Sequence, residues 1–474
     1  MNPNAVYISP AAGAAYGECD GVDAPELPRQ AGRTSALAAV RRLLADARWD
    51  AARFGSPDWN PLGDLIAGGK KVVIKPNWVL HENRSGQGLD CLVTHASLIE
   101  AVLHYVVKAR PGSIIVGDAP IQGCDFDSLL ANTGLERIVE RFRAAGTEVS
   151  LRDFRCVTLP GGRIHRQPCE SARGRDQYVL FDLGTRSLLE PITTAHTPFR
   201  VAMYDPQALE RTHGPGRHQY LVAREVIEAN VVINMPKLKT HKKAGLTGAL
   251  KNMVGMNGHK SYLPHHRQGS PETHGDCYRR SSRLKSCAED LLDRANVARH
   301  SAARFLLSRT ASVMLRLNRL GGGDGNVEGA WHGNDTVWRM CLDLQRILHY
   351  GKLDGTMAAT PQRQVLNVTD AIVAGEGEGP LAPGPIPLGI VSFGSNAAAV
   401  DWVHALLMGF DPEAIPIVRE SFAPHEYPLA GFAPDSIRVY VDGETCGLRE
   451  LPGRFGRAFH PARGWKGHCE LLRP

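Results

Sequence analysis

The sequence predicts an α/β protein with a mostly parallel sheet, helices on both faces and irregular insertions. Short runs rich in β-branched residues and bounded by Gly or Pro alternate with helical segments along the chain. Several of these runs are apolar throughout, which is typical of strands covered on both faces. A chain of 474 residues, 43% of them hydrophobic, is also large enough to bury a substantial core.

Periodicity, capping residues and breakers predict the individual elements. The first is a helix from Ala36 to Ala47, which Ser35 is expected to cap, followed by a strand from Lys70 to Lys75 that Pro76 stops. The other predicted elements, in order, are a helix capped by Thr94 and ending at Val107, strands at 113–116 and 231–234, helices at 244–256 and 286–320, strands at 365–368 and 388–393, a helix at 397–409 and a strand at 436–441. Strand, helix and strand at these lengths indicate parallel β-α-β units.

The same pattern divides the chain into segments. We expect an N-terminal lead-in at 1–35, an α/β domain at 36–425 and a C-terminal extension at 426–474. Residues 257–335 are rich in His, Arg and Gly, and we interpret them as an insertion that covers or extends the site.

Composition argues against several classes of protein. The 55 basic and 49 acidic residues give a net charge of +6 without a continuous basic arm, so no nucleic-acid partner is expected. No apolar run reaches the roughly 18 residues of a membrane helix, and no signal peptide is recognisable. The ten cysteines form no C-x-x-C pair, which favours a reduced, cytoplasmic protein without an iron–sulfur cluster.

The residues that follow the predicted strands are the candidates for a site, because ligands of open α/β sheets bind beyond the carboxyl ends of the strands. The densest group is Asn234–His241, which Leu250–Asn252 closes. Ammonium groups held together repel each other unless anions lie among them, so this segment predicts a phosphate or polycarboxylate site; a solvated basic loop is the alternative. The predicted substrate-binding residues are Lys75, Asn77, Lys237, Lys239, Lys251, Asn252, Ser395 and Asn396.

Two of these predictions have specific alternatives. The amides of Ser395 and Asn396 could cradle an oxyanion, but a plain Asn-capped turn explains them equally well. The lysines at the site are expected to be exposed, and therefore to contribute to ligand affinity more than to the core.

A glycine-rich acidic segment predicts a divalent metal. Asp370, Glu376 and Glu378 lie on what we interpret as a loop, and such carboxylates suit Mg²⁺; a flexible acidic loop is the alternative. Zinc is not expected in the 257–277 region, because the spacings match no standard pattern. The residues considered there were His259, His265, His266, His274 and Cys277.

Acid–base chemistry is assigned to His241, Asp118 and Asp370. Lysines surround His241, and nearby positive charge disfavours imidazolium, so a neutral base at this position is expected. The alternative is that His241 only caps the following helix or bonds a backbone carbonyl.

Several of these residues form a pattern that resembles the DUF362 family across about residues 70 to 412. The segments that carry the resemblance are Ile74–Asn77, Thr94–His95, Gly117–Asp118, Asn234–His241, Leu250–Gly255, Asp370 with Gly375–Pro380, Ala399–Asp401 and Met408–Pro412. Asn-x-Pro-Lys-x-Lys-Thr-His followed by Lys-Asn-x-x-Gly is the specific part. The family has no settled activity, and many members carry a ferredoxin-like cysteine segment that this chain lacks.

The resemblance and the residues together lead to one functional hypothesis. We expect an enzyme that acts on an anionic, phosphorylated small molecule with a divalent metal. The Tyr262–Arg267 segment resembles a subset of the family associated with surface-polysaccharide genes. The alternatives are a non-catalytic module that binds an anion or metabolite, and a redox accessory protein like the ferredoxin-fused relatives. The sequence does not indicate the oligomeric state.

Overall fold

The computed structural model describes residues 2–18, 22–29, 31–159, 169–323 and 327–471. The first β-α-β region contains β1 (Ala5–Pro10), α1 (Ser35–Asp46), α2 (Gly63–Ile66), β2 (Lys71–Pro76), α3 (Ala96–Lys108), β3 (Ser113–Asp118), α4 (Phe126–Thr133), α5 (Leu135–Ala144) and β4 (Val149–Asp153). Small sheets and short helices follow: β5 (Val157–Thr158), β6 (Cys169–Glu170), β7 (Tyr178–Asp182), β8 (Phe199–Arg200), α6 (Pro206–Thr212), β9 (His213–Gly214), β10 (Arg217–Ala223) and α7 (Arg224–Glu228).

The remaining elements return the chain to the large sheet and complete it. They are β11 (Val231–Met235), β12 (Lys237–His241), β13 (Gly245–Thr247), α8 (Ala249–Asn252), β14 (His266–Arg267), α9 (Arg283–Val297), α10 (Ser301–Leu320), α11 (Val337–Tyr350), β15 (Gln364–Glu378), β16 (Ala382–Gly394), α12 (Ala397–Leu407), α13 (Pro416–Arg419), β17 (Arg438–Val441), β18 (Glu444–Cys446) and α14 (Leu451–Arg454).

One large mixed sheet organises these elements, in the order β18-β17-β1-β16-β15-β11-β2-β3-β4. The five strands from β15 to β4 run parallel, whereas β16 runs antiparallel to both β15 and β1. Alternate residues of one strand pack into different cores: Val72 and Ile74 of β2 lie in one core, and Val73 lies in the other. The predicted α/β class, with a mostly parallel sheet covered on both faces, is therefore confirmed.

The helix caps differ by one residue from the predictions. Thr34 rather than Ser35 caps α1, and His95 rather than Thr94 caps α3. The Thr94 hydroxyl instead donates to the Met235 carbonyl at 2.6 Å, which ties the loop after β2 to the end of β11. The Thr94 side chain therefore links the loop after β2 to β11 and does not cap a helix.

Two predicted segments have a different secondary structure. The helix expected at 244–256 is divided into β13, α8 and a 3-10 turn at Met253–Met256. Gly245 has a φ of 83°, a left-handed conformation that suits the turn between β12 and β13 and interrupts a helix. The helical region expected at 286–320 is a pair of helices, α9 and α10, that pack against each other.

The basic run and the acidic glycine-rich segment are both strands, although loops were predicted for them. β12 lies parallel to β15 and antiparallel to β13, and β15 continues to Glu378 while it pairs with β16. Strand pairing satisfies the backbone groups that a loop would leave to water. The pairing of β12 with β15, which are distant in sequence, therefore helps to decide the conformation of both segments.

The large sheet crosses both predicted boundaries. β1, from the segment expected to be a lead-in, pairs with β16 and with β17, and β17 follows residue 425. The N-terminal and C-terminal segments therefore contribute strands to the sheet of the central domain. Among the helices that the structure describes, none combines the length and the apolar character that crossing a bilayer requires.

Candidate functional site

A cavity of about 2020 Å³ opens where the parallel strands end. The cavity is lined by the residues at or next to the carboxyl ends of β2, β3 and β4, which are Lys75, Asp118 and Asp153. The β12–β13 segment lines it as well. Residues of the predicted insertion, including Lys260 and His265, also line it. The cavity lies where ligands of open α/β sheets bind, and it is larger than the roughly 300–1,000 Å³ of ordinary small-molecule sites.

Lys75 and Asp118 form a buried ion pair in the cavity wall. The Lys75 Nζ lies 2.8 Å from the Asp118 Oδ1, and both side chains are almost fully buried. The other oxygen of Asp118 accepts a hydrogen bond from the Trp78 backbone at 2.7 Å. Burial raises the pKa of the Asp118 carboxyl, against the opposing effect of Lys75. A carboxyl whose pKa is raised is suited to proton exchange nearer neutral pH.

The amide of Asn252 holds three segments of the site together. Its Oδ1 accepts from the Lys75 Nζ at 3.0 Å and from the Asn77 Nδ2 at 2.9 Å. Its Nδ2 donates to the Asn234 Oδ1 at 2.7 Å. Asn252 is thus occupied within the protein, whereas the buried Oδ1 of Asn77 has no hydrogen-bond partner among the described residues and is available to a ligand.

Three further lysines border the cavity: Lys239, Lys243 and Lys251. In the part of the chain that the structure describes, no acidic side chain lies within ion-pair distance of their ammonium groups. Lys239 donates to the Leu92 carbonyl. Burial is the largest cause that lowers the pKa of each lysine, to about 8 for Lys243. Buried ammonium groups without counter-ions repel one another, so an anion in the cavity would stabilise them.

These lysines are not exposed as expected. Lys239 has 0% of its surface accessible, because β12 is a strand within the sheet, and Lys243, in the turn after β12, has 6%. Lys251 is half-buried at the cavity wall.

The His241 ring bonds the backbone of the turn between β12 and β13. Its Nδ1 accepts hydrogen bonds from the backbone N–H groups of Lys243 and Ala244, both at 3.1 Å. Burial, reinforced by neighbouring lysines, places the pKa of His241 well below its ordinary value, so the ring is neutral. A neutral ring that accepts at Nδ1 carries its proton at Nε2, and is therefore a donor there and not a base.

Lys237 and Asp370 belong to a separate buried cluster. The Lys237 Nζ lies 2.7 Å from the Asp370 Oδ2, and both side chains are fully buried. The Tyr16 hydroxyl donates to the Asp370 Oδ1 at 2.6 Å, and the His95 backbone N–H donates to Oδ2 at 2.9 Å. Neither Lys237 nor Asp370 lines the cavity, so this cluster joins β12, β15 and the N-terminal segment.

The carboxylates predicted to hold Mg²⁺ do not converge. Glu376 accepts from the His460 backbone at 2.8 Å, Glu378 accepts from the Arg463 backbone at 2.8 Å, and protein donors already surround Asp370. The strand conformation of β15 directs these residues to different partners, whereas a loop could have gathered them.

Ser395 and Asn396 lie away from the cavity. Because β16 is antiparallel to β15, its end points toward the amino ends of the parallel strands. The Asn396 side chain caps α12 by accepting from the Ala398 and Ala399 backbone N–H groups. The capped turn that was the alternative is the arrangement found here.

The family model described as Domain of unknown function (DUF362) matches residues 72–180 and 182–405, more than half of the chain. The chain belongs to the DUF362 family. Among curated proteins, none matches it. A solved structure from Thermotoga maritima, a Northeast Structural Genomics Consortium target, is similar with 10% identity and a TM-score of 0.27, over 72% of this chain and 53% of that one. This chain thus covers about half the length of that protein.

In this DUF362 protein, the motif residues have two roles. Asn234 and Lys237 hold the strands together, Lys239 and Lys251 border the cavity, and Asn252 does both. Sequence reasoning did not assign a role to Lys243, although it lies in the basic run already identified. Glu289 and Glu328 also line the cavity, in agreement with an insertion that extends the site, but no motif identified them individually, and His266 was considered only as a zinc ligand.

Proposed function

We propose that this DUF362 protein is an enzyme that acts on an anionic, phosphorylated small molecule in the lysine-lined cavity. One observation carries the proposal: Lys239, Lys243 and Lys251 border one cavity without an acidic partner at ion-pair distance among the described residues. A phosphate group would supply the missing negative charge. The cavity is large enough for a phosphate joined to a sugar or a nucleoside, which fits the surface-polysaccharide context.

Of the predicted carboxylates, Asp118 alone lines the cavity with the lysines, and it supports an enzyme over a binding module. Asp118 lies in the same cavity wall as the lysines, and burial raises the pKa of its carboxyl. We assign proton transfer to Asp118, with Lys75 holding the carboxylate in position. Magnesium enters the proposal only as an ion that the substrate phosphates would carry, because Asp370, Glu376 and Glu378 are engaged elsewhere.

Lys251→Gln should abolish most of the stabilisation that an anion gives to the protein. Charge-assisted hydrogen bonds contribute about 1.5–3 kcal/mol each, so the affinity for sulfate or pyrophosphate should fall at least about tenfold. Without anion, the variant should melt at or above the melting temperature of the parent, because an unpaired half-buried ammonium is removed. Thermal melts over a titration of each anion measure both effects.

The control is Lys71→Gln, which removes an exposed lysine at the other end of β2. This variant should show the same rise in melting temperature with added anion as the parent. If Lys251→Gln melts well below the parent without anion, the lysine is a structural partner and the anion site is wrong.

Asp118→Asn should separate binding from turnover. The amide oxygen can still accept from the Trp78 backbone, but it cannot take up a proton. Loss of the carboxylate also leaves the buried Lys75 ammonium without its counter-ion, so the melting temperature of the variant is measured beside that of the parent. At a temperature where the purified variant is folded, we expect it to retain anion binding, while a deletion strain complemented with it keeps the metabolite profile of the deletion. Full complementation by Asp118→Asn would remove the acid–base role and favour the non-catalytic binding module.

A further inference from the structure

The insertion contributes a compact group of three metal-ligating side chains. His266, Cys277 and Glu289 are all buried, and one ligand atom from each lies within 4.8 Å of the other two. His266 belongs to β14, Cys277 to the turn that follows it, and Glu289 to α9. Among the described residues, no other group of three or more such side chains meets the same distance.

The His266 side chain also indicates a ligand at this position. The Nδ1 of His266 is buried and has no hydrogen-bond partner among the described residues, and only 4% of the residue is exposed. A buried imidazole nitrogen without a hydrogen-bond partner is able to bind a metal.

The backbone around the cluster holds the ligands in place. The Gly269 N–H donates to the Glu289 carboxylate at 3.2 Å, and the Cys277 N–H donates to the Gly269 carbonyl at 2.9 Å. The Gly329 N–H donates to the Cys277 carbonyl at 2.8 Å. Such outer contacts orient metal ligands and are a regular part of metal sites in proteins.

We propose that His266, Cys277 and Glu289 form a zinc site whose fourth position opens to the cavity. His266 and Glu289 both line the cavity, whereas Cys277 is fully buried behind them. Three protein ligands and one open position are the arrangement of catalytic zinc sites. Nitrogen, sulfur and carboxylate donors suit Zn²⁺ and do not suit Mg²⁺.

The charges and distances fit this ion. A thiolate and a carboxylate balance the two positive charges of Zn²⁺, and a tetrahedral site brings the ligand atoms about 3.5 Å apart, a small contraction of the observed cluster. The Cys277 thiol and the Glu289 carboxylate are hydrogen-bonded to each other. Binding of Zn²⁺ would release the thiol proton and any proton on the carboxyl.

The spacing of these three ligands along the chain explains why zinc was not expected from the sequence. Glu289 lies outside the 257–277 region considered, on a helix that packs back against β14, and no short zinc motif spans these positions. The inference does not depend on the proposed substrate, because zinc binding is measurable without one.

Metal binding by the full-length protein tests the proposal. After chelator treatment, the parent should bind one Zn²⁺ per chain in competition with a chromophoric chelator, and Co²⁺ should give the thiolate charge-transfer band of a Cys ligand. Cys277→Ser should abolish that band, and Glu289→Gln, which preserves shape, should lower zinc affinity by more than roughly 100-fold.

Matched controls lie close to each ligand. Cys287→Ser changes an exposed cysteine on the same helix as Glu289, and His274→Gln changes an exposed histidine in the turn after His266. Both should bind Zn²⁺ like the parent. Absence of stoichiometric binding by the parent, or a Co²⁺ complex without a thiolate band, would overturn the site even if a ligand variant failed to fold.

Discussion

Replacing Lys237 by Met should destabilise the protein by about 3–5 kcal/mol, because the substitution leaves a buried carboxylate without its cation. Asp370 is fully buried, and Lys237 contacts it at 2.7 Å. Tyr16 and the His95 backbone N–H would remain as donors, but neither carries a positive charge. Urea denaturation followed by tryptophan fluorescence measures the loss.

The double variant Lys237→Met with Asp370→Asn is the control for this mechanism. The Asp370→Asn substitution removes the uncompensated carboxylate charge, and the amide oxygen can still accept from the His95 backbone N–H. We expect it to recover at least about 1 kcal/mol relative to Lys237→Met alone. If Lys237→Met unfolds at the parent's urea midpoint, the pair does not stabilise the fold.

Gly255→Ala is expected to disrupt the cavity wall through a single added methyl group. A Cβ atom at Gly255 would lie 1.8 Å from the Asp118 Oδ1 and 2.7 Å from the Lys75 Nζ, both well inside van der Waals contact. The ion pair would have to separate within a buried region, which costs about 3–5 kcal/mol. Chemical denaturation should show this loss, and anion-dependent stabilisation should weaken because Lys75 and Asp118 shift.

Gly123→Ala provides the comparison for this substitution. Gly123 also lines the cavity, but a Cβ there meets no atom within 4 Å, so its stability should stay within about 0.5 kcal/mol of the parent. Parent-like stability of Gly255→Ala would mean that the segment after α8 can move away from the ion pair without loss.

The sequence by itself determined the α/β class, the family and the strand ends at which the cavity lies. Buried parallel strands have a local signature, since they are short apolar runs that end at Gly or Pro, and polar residues after them mark the ligand edge. Lys75, Asp118, Lys239 and Lys251 could therefore be assigned to one place without a structure. The same reasoning also placed Asp370 there, although Asp370 instead pairs with Lys237 and does not line the cavity.

Only the tertiary structure decided which charged residues pair with each other. Lys237 and Lys239 lie two positions apart on β12, yet one contacts Asp370 in the interior and the other borders the cavity. A shift in register between β12 and β15 separates them, and such a shift depends on strands distant in sequence. The grouping of His266, Cys277 and Glu289 depends in the same way on how α9 folds back against β14. Local patterns identify which residues are able to bind ligands, but long-range packing determines which of them meet.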